Sequence, residues 1–125
     1  MSLSVYAYVL DEDRAWQLLD PPTPGDELAG FERWRTTVWG STAVLALGAY
    51  YFPVLARGDL TVLPHAVPEF LDECALLRKH LDAIAAQADE SHSREVHTER
   101  IAARLTHIEA AAERALEVGG GVLIW

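Results

Sequence analysis

Five histidines and one cysteine are the side chains of this sequence best able to bind a metal or attack a substrate. His65, His80, His92, His97 and His107 include no pair four residues apart around a glutamate, so the zinc-protease helix pattern is absent. Asp89 and His92 make one carboxylate-x-x-His step, whereas a di-iron bundle needs two such steps and two further inward carboxylates. In a helical hairpin turning near Ser91, His80 stands opposite Arg104 and His107 opposite Leu76, one turn apart, with no third ligand converging. Surface or half-buried structural roles are therefore expected for these histidines, with no metal and no cofactor. Cys74 with a histidine would make a nucleophile pair, but it falls in an apolar stripe at helical spacing and reads as a small core residue. Gly119-Gly120-Gly121 follows a helix rather than opening one, so the helix dipole there repels a phosphate. A helix cap and tight turn is the expectation. No GxSxG, phosphate-loop or dinucleotide fingerprint occurs, and nothing in the chain advertises an enzyme.

The acids are more suggestive. Glu109, Glu113 and Glu117 recur every four residues near the end of an expected helix. Like charges at that spacing cost about a few tenths of a kcal/mol per pair, and acids there also oppose the helix dipole. Three compensations are open: screening by solvent, an internal ion pair with Arg33, Arg35 or Arg57, or a basic partner protein whose encounter the column speeds. Most aromatics lie in the first 52 residues and are expected to build the core between sheet and hairpin; Trp34 and Trp39 are five positions apart, so the alternative is that one of them is left on a contact surface. Trp34 between Arg33 and Arg35 has the composition of a protein-recognition anchor. A small enzyme or small-molecule binder, with Tyr6, Tyr8, Trp34 and His65 lining a pocket, is the reading from a different class. A flat or convex charged face would favour the protein binder, and a deep pocket with converging polar groups the alternative.

The elements that must position these residues follow from period and punctuation. Ser4 to Leu10 is rich in Val and Tyr and reads as a strand, with Val5, Ala7 and Val9 on one face. Arg14 to Leu19 suggests one helical turn before the Pro21 to Gly25 loop. Thr23-Pro24-Gly25-Asp26 resembles a helix opening, and Leu28, Phe31, Trp34 or Arg35, and Val38 recur at helical steps until Gly40. Ser41 can cap a short helix over Thr42 to Leu47, ended by Gly48. Leu60 to Leu63 is a short strand. Val67, Phe70, Cys74, Leu77, Leu81, Ile84 and Ala88 mark a long helix over 67–89. Ser91 or Ser93 can cap a second, over 93–118, with Ile101, Leu105, Ile108, Ala112 and Ala115 as its stripe. The short connection makes these an antiparallel hairpin, in which Leu81 and Ile84 face Leu105 and Ile101. Val122 to Ile124 is a last strand. The fold class expected is α+β: a small sheet (4–10, 60–63, 122–124) on helices, one domain over 1–125.

Composition narrows the function classes. The chain has 125 residues, 50% of them hydrophobic, and 19 Asp+Glu against 10 Lys+Arg for a net charge of -9. That length buries roughly two-thirds of the unfolded surface around one core. The acidity speaks against nucleic acid, which needs a basic stripe, and against anionic membranes. The uncharged run Ala43 to Ala56 contains Gly48 and Pro53 and falls short of the roughly 20 residues a span requires. With no secretory leader pattern, the cytoplasm is the expected address. Self-association as a homodimer, mediated by the helical hairpin, is a further expectation.

Phe31-Glu-Arg-Trp-Arg-Thr-Thr-Val-Trp-Gly-Ser41, Phe52-Pro53-Val54-Leu55, the Glu73-Cys74-Ala75-Leu76-Leu77 helix and the closing Gly119-Gly-Gly-Val-Leu-Ile-Trp125 run follow one another in a distinctive order. In this the chain resembles a set of small uncharacterised bacterial proteins and, more distantly, the immunity protein 70 family of polymorphic-toxin loci. The resemblance covers Leu28 to Trp125 and rests on order and character rather than on a catalytic motif. In that family the FP-x-L segment precedes a His-Ser-Asp-rich, Gly-Trp stretch, where this chain has Ala56-Arg57-Gly58-Asp59-Leu60-Thr61-Val62. The resemblance implies an α+β fold and a non-enzymatic role in neutralising a toxin, and carries no functional residue onto this chain.

Overall fold

The computed structural model describes residues 2–87 and 94–125. The turn of the expected hairpin, with Ala88, Asp89, Ser91, His92 and Ser93, lies outside the described residues. The architecture is α+β, an antiparallel five-stranded sheet with helices on one face. Strand β1 (Ser2–Leu10) is its centre. Along one edge, β2 (Trp16–Leu19) pairs Ala7↔Leu19 through Leu10↔Trp16, and β3 (Leu28–Phe31) pairs Ser2↔Phe31 through Ser4↔Leu28. Strand β4 (Leu60–Val62) reaches the other edge only through β5 (Gly121–Ile124). The period-two pattern holds: Leu3, Val5, Ala7, Leu60, Val62, Val122 and Ile124 are buried on the inner face.

The helical layer follows the expected stripe. Helix α4 (Arg94–Val118) lies on the inner face and buries Ile101, Leu105, Ile108, Ala112 and Ala115. Helices α2 (Val67–Lys79) and α3 (Leu81–Ala86) pack on α4. Arg78 bonds to Glu109, whereas Asp82, further along, bonds to Thr98, so the two arms run antiparallel. The expected single helix over 67–89 is interrupted at His80, whose φ of -122° and ψ of 27° leave the helical region. No Gly or Pro marks that break. It leaves Leu77 and Ile84 fully buried and Leu81 only half-buried.

Two helical expectations are overturned in the first half. Arg14 to Leu19 is the β2 hairpin arm, because backbone pairing with β1 offers these residues more hydrogen bonds than an isolated turn does. The helix expected from Pro24 to Val38 is replaced by β3 and a short π-helical turn, Arg35–Trp39. Gly30 has φ +115°, a conformation that a helix does not use and glycine readily adopts. There the chain turns so that Trp34 lies against Gly30, where a Cβ would stand 2.4 Å from the ring. Ser41 does cap α1 (Thr42–Ala46), accepting from the Val44 N–H, and Gln87 Oε1 accepts from the Ala43 N–H and the Thr42 hydroxyl. Tyr50 and Tyr51 lead into a 3-10 helix, Phe52–Ala56.

The core binds these pieces through an aromatic series, Trp34 to Trp39, Trp39 to Phe52 and Phe52 to Phe70, with centroids 5.8, 5.1 and 5.3 Å apart. The Trp39 indole donates to the Ala29 carbonyl at 2.9 Å, so its polar atom is satisfied. Buried Glu73 on α2 accepts from the N–H groups of Tyr50, Tyr51 and Phe52, satisfying the start of the 3-10 helix from a distant element. At the far end, Gly119 (φ +68°) caps α4 and the Gly120 N–H donates to the Ala115 carbonyl at 2.8 Å. The triple glycine is thus the cap and turn its position predicts. Among the described residues no helix is long and apolar enough to cross a membrane.

Candidate functional site

One concavity follows from the sheet register. On the outer edge of β1, β3 pairs as far as Ser4 and β2 begins at Ala7, so neither pairs with Val5 or Tyr6. The Val5 N–H donates to the Glu27 carbonyl at 2.7 Å, where the chain swings away from the sheet. Helix α4 runs beside this gap. Together they enclose a groove of about 380 Å³, within the range of ligand clefts. Val5, Ala7, Leu19, Ala110 and Ala111 give it apolar walls, and Pro21 and Pro22 form a stiff rim. Its polar lining is Asp26, His107, Glu113, Arg114 and Glu117, with Tyr6 alongside.

The cationic groups of the groove are already engaged. The Leu28 carbonyl can only accept, so His107 carries a proton on Nδ1 and donates it there at 2.7 Å. Its Nε2 stands 3.7 Å from Asp26 Oδ1. The Arg114 guanidinium donates to the Asp20 carbonyl, tying the loop after β2 to α4. By contrast, Glu113 and Glu117 are exposed and have no ion-pair partner among the described residues. The groove therefore offers two carboxylates with no ion-pair partner among the described residues, beside an apolar floor, while the arginine of its lining is turned to the Asp20 carbonyl.

The expected acidic column divides. Glu109 is half-buried and is bonded by Arg78, whose Nε lies 3.1 Å from Oε1, while Arg78 Nη2 also donates to Thr106 at 3.0 Å. These bonds with Glu109 are the first cause of the raised Arg78 pKa. An internal arginine does meet this acid, but it comes from α2 and is none of Arg33, Arg35 or Arg57. Glu113 and Glu117, one and two turns on, lie beyond its reach and face the groove.

The Trp34 anchor is overturned. Trp34 is 5% exposed, packed edge-on against Phe31 and Trp39, because the β3 turn folds it inward. Arg35 is equally occupied, donating to Glu32 at 2.5 Å, to Asp59 at 2.9 Å and to the Leu55 and Gly58 carbonyls. Burial alone would lower its pKa, but the bonds to Asp59 and Glu32 outweigh that and raise it. Arg33 lies over the Phe31 ring at 4.8 Å.

The pocket of Tyr6, Tyr8, Trp34 and His65 does not assemble. Only Tyr6 reaches the groove. Tyr8 lies across β5, its hydroxyl donating to the Val62 carbonyl at 3.2 Å, and burial raises its pKa. His65 is exposed in the turn before α2. Among the described residues no group of three or more His, Cys, Asp or Glu is placed to hold a metal ion. Cys74 is fully buried, and burial, with the nearby charges of Glu109 and Glu73, pushes its thiol pKa far up, as suits a core residue. Asp26 and Arg114 are groove residues that sequence reasoning does not single out for a site, and it weighs His107 only as a metal ligand. His107 meets Leu28 across 79 positions, and no local pattern encodes that contact.

Comparison with protein-family models, with curated proteins and with solved structures finds no match to this chain.

Proposed function

We propose that this chain is a non-enzymatic protein-binding domain that engages a basic partner, with the groove beside α4 as the site that receives a lysine or arginine side chain. One observation carries the reading: Glu113 and Glu117 are exposed on the groove, without an ion-pair partner among the described residues, near the helix end where the dipole disfavours acids. A cation between them would relieve both penalties, and its aliphatic stem matches the floor of Ala110, Ala111 and Leu19. The net charge of -9 adds long-range attraction for a basic partner. An immunity-like role, with a basic toxin as that partner in the cytoplasm, is the specific form of this proposal, and it rests on the order of sequence segments alone, since no family model matches the chain. A small cationic molecule is a second reading, favoured by the groove's volume.

A hexa-arginine peptide is the probe. Calorimetry should show binding that weakens as salt rises, and Glu113→Gln with Glu117→Gln should weaken it by about tenfold, the equivalent of 1.4 kcal/mol. The paired substitution should leave the fold intact, since neither acid has an ion-pair partner among the described residues. Equal binding by the variant would refute the site. Binding of free arginine as tight as that of the peptide would favour the small-molecule reading.

A further inference from the structure

The helices cover one face of the sheet and leave the other open. Tyr6, Tyr8 and Leu10 lie on the face of β1 away from the helices, with Tyr8 buried beneath the Trp16 ring, and Trp16 and Leu18 stand opposite Leu10 and Tyr8 on β2. Trp125 extends the row, since its N–H and carbonyl both bond to Ser4 and its ring lies 5.8 Å from Tyr6. The Tyr8 ring is held flat over Gly121, where a Cβ would stand 2.4 Å from it, and Trp16 stacks on it at 4.4 Å. Trp16, Leu10, Trp125 and Leu18 remain 51, 48, 41 and 38% exposed. None of these side chains is charged.

We infer that this open sheet face is a homodimer interface, packing against the same face of a second copy about a twofold axis. The occupant follows from charge and symmetry. Two chains of net charge -9 repel through most of their surfaces, and least where the contact itself is uncharged. A basic partner gains nothing from a face without carboxylates, whereas a second copy brings the same aromatic rows, and twofold pairing makes such a face self-complementary. The exposed apolar area is about 400 Å², counting each aromatic side chain at about 150–250 Å². A standard interface buries about 800 Å² per partner with its apolar part at the centre, so this patch supplies the centre and the surrounding polar strand residues the rim. Tyr6 is the residue that this face shares with the groove beside α4, whereas Glu113 and Glu117 belong to the groove alone, so the opposite salt dependences of the two tests keep the inference apart from the proposed partner binding.

Sedimentation equilibrium of the whole chain, over the range that resolves dissociation constants of about 1 µM to 1 mM, tests it. A dimer is expected, and raising salt from about 0.05 to 0.5 M should strengthen it, because screening removes repulsion between like-charged copies. That is the opposite sign to basic-peptide binding. Trp16→Glu and Leu18→Glu, checked for folding by circular dichroism, should each raise the dissociation constant at least about tenfold. Leu116→Glu, at an equally exposed leucine of α4, should leave it unchanged. Acrylamide quenching of the unmodified protein gives a readout without substitution: Trp34 and Trp39 are buried, so quenching reports Trp16 and Trp125 and should fall as the dimer forms. A monomer at every concentration and salt, a dimer that survives both face substitutions, or a dimer with unchanged quenching would overturn the inference.

Discussion

Replacing Glu73 by alanine should be among the most damaging single changes outside the apolar core. Its carboxylate is 8% exposed and accepts from three backbone N–H groups, with distances of 2.5 Å from Tyr50, 2.9 Å from Tyr51 and 2.8 Å from Phe52. Bonds to a charged acceptor are worth about 1.5–3 kcal/mol each, but the three donors do not lose equally. Tyr50 is 75% exposed, so its N–H can turn to water. Those of Tyr51 and Phe52 sit deeper, and each buried donor left unsatisfied costs about 1–3 kcal/mol. Glu73→Ala should therefore cost about 2–5 kcal/mol, a large part of the 5–15 kcal/mol typical of a domain. Glu73→Gln keeps one acceptor oxygen but points a donor at a donor, and should fall roughly midway. Urea unfolding followed by far-UV circular dichroism gives the totals, and near-UV signals from Tyr50 and Tyr51 report the segment itself. A loss below about 0.5 kcal/mol for the alanine variant, the range of ordinary surface changes, would show that the 3-10 helix is held by its own packing and that the carboxylate is incidental.

Three further outcomes follow from the same geometry. Ile84 is fully buried and Leu81 only half-buried, so Ile84→Ala should cost about 2–5 kcal/mol and Leu81→Ala distinctly less; equal losses in urea titrations would mean that the α3 packing is misplaced. Gly121→Ala would put a Cβ 2.3 Å from the Val62 carbonyl oxygen and 2.4 Å from the Tyr8 ring, and should destabilise by at least about 1–3 kcal/mol; a melting temperature equal to that of the unmodified protein would refute that close approach. Burial, reinforced by the 2.9 Å bond to Glu69, raises the Tyr51 pKa from 10.0 to about 12. Because the folded value lies above the unfolded one, this contribution to stability is complete below pH 10 and is lost as pH climbs toward about 12. Absorbance at 295 nm should show a late-ionising tyrosine whose amplitude Tyr51→Phe reduces, and a single midpoint near 10 for all four would be incompatible with this setting.

The apolar stripes and strand alternation carried the layer architecture. Leu105, Ile108 and Ala112 on α4, and Val5 and Ala7 on β1, occupy the faces their spacing demands, because burial of one face is a local property of a periodic segment. Ser41 and Gly119 likewise mark ends through contacts within a turn. The same local logic failed from Pro24 to Val38, where helical spacing is present but Leu28–Phe31 gains partners in β1. It failed for Trp34 for the same reason, since the direction of a side chain after a turn depends on where that turn leads. The candidate site was legible only in part: the penalty at Glu113 and Glu117 is written in the helix, whereas the compensation of Glu109 by Arg78 spans 31 positions.

By itself the sequence determined the α+β class, the core faces of β1, α2 and α4, the burial of Cys74, the glycine turn into β5 and the acidic net charge. Each follows from composition or from interactions within a few residues. Only the tertiary structure decided that β2 and β3 share one edge of β1 and leave a gap, that α4 closes the gap into a groove, that Arg78 removes one acid of three from the surface, and that an uncharged aromatic sheet face stays open. Those features arise where segments far apart in the chain meet, and the free energy of such meetings depends on packing and pairing that no single segment contains.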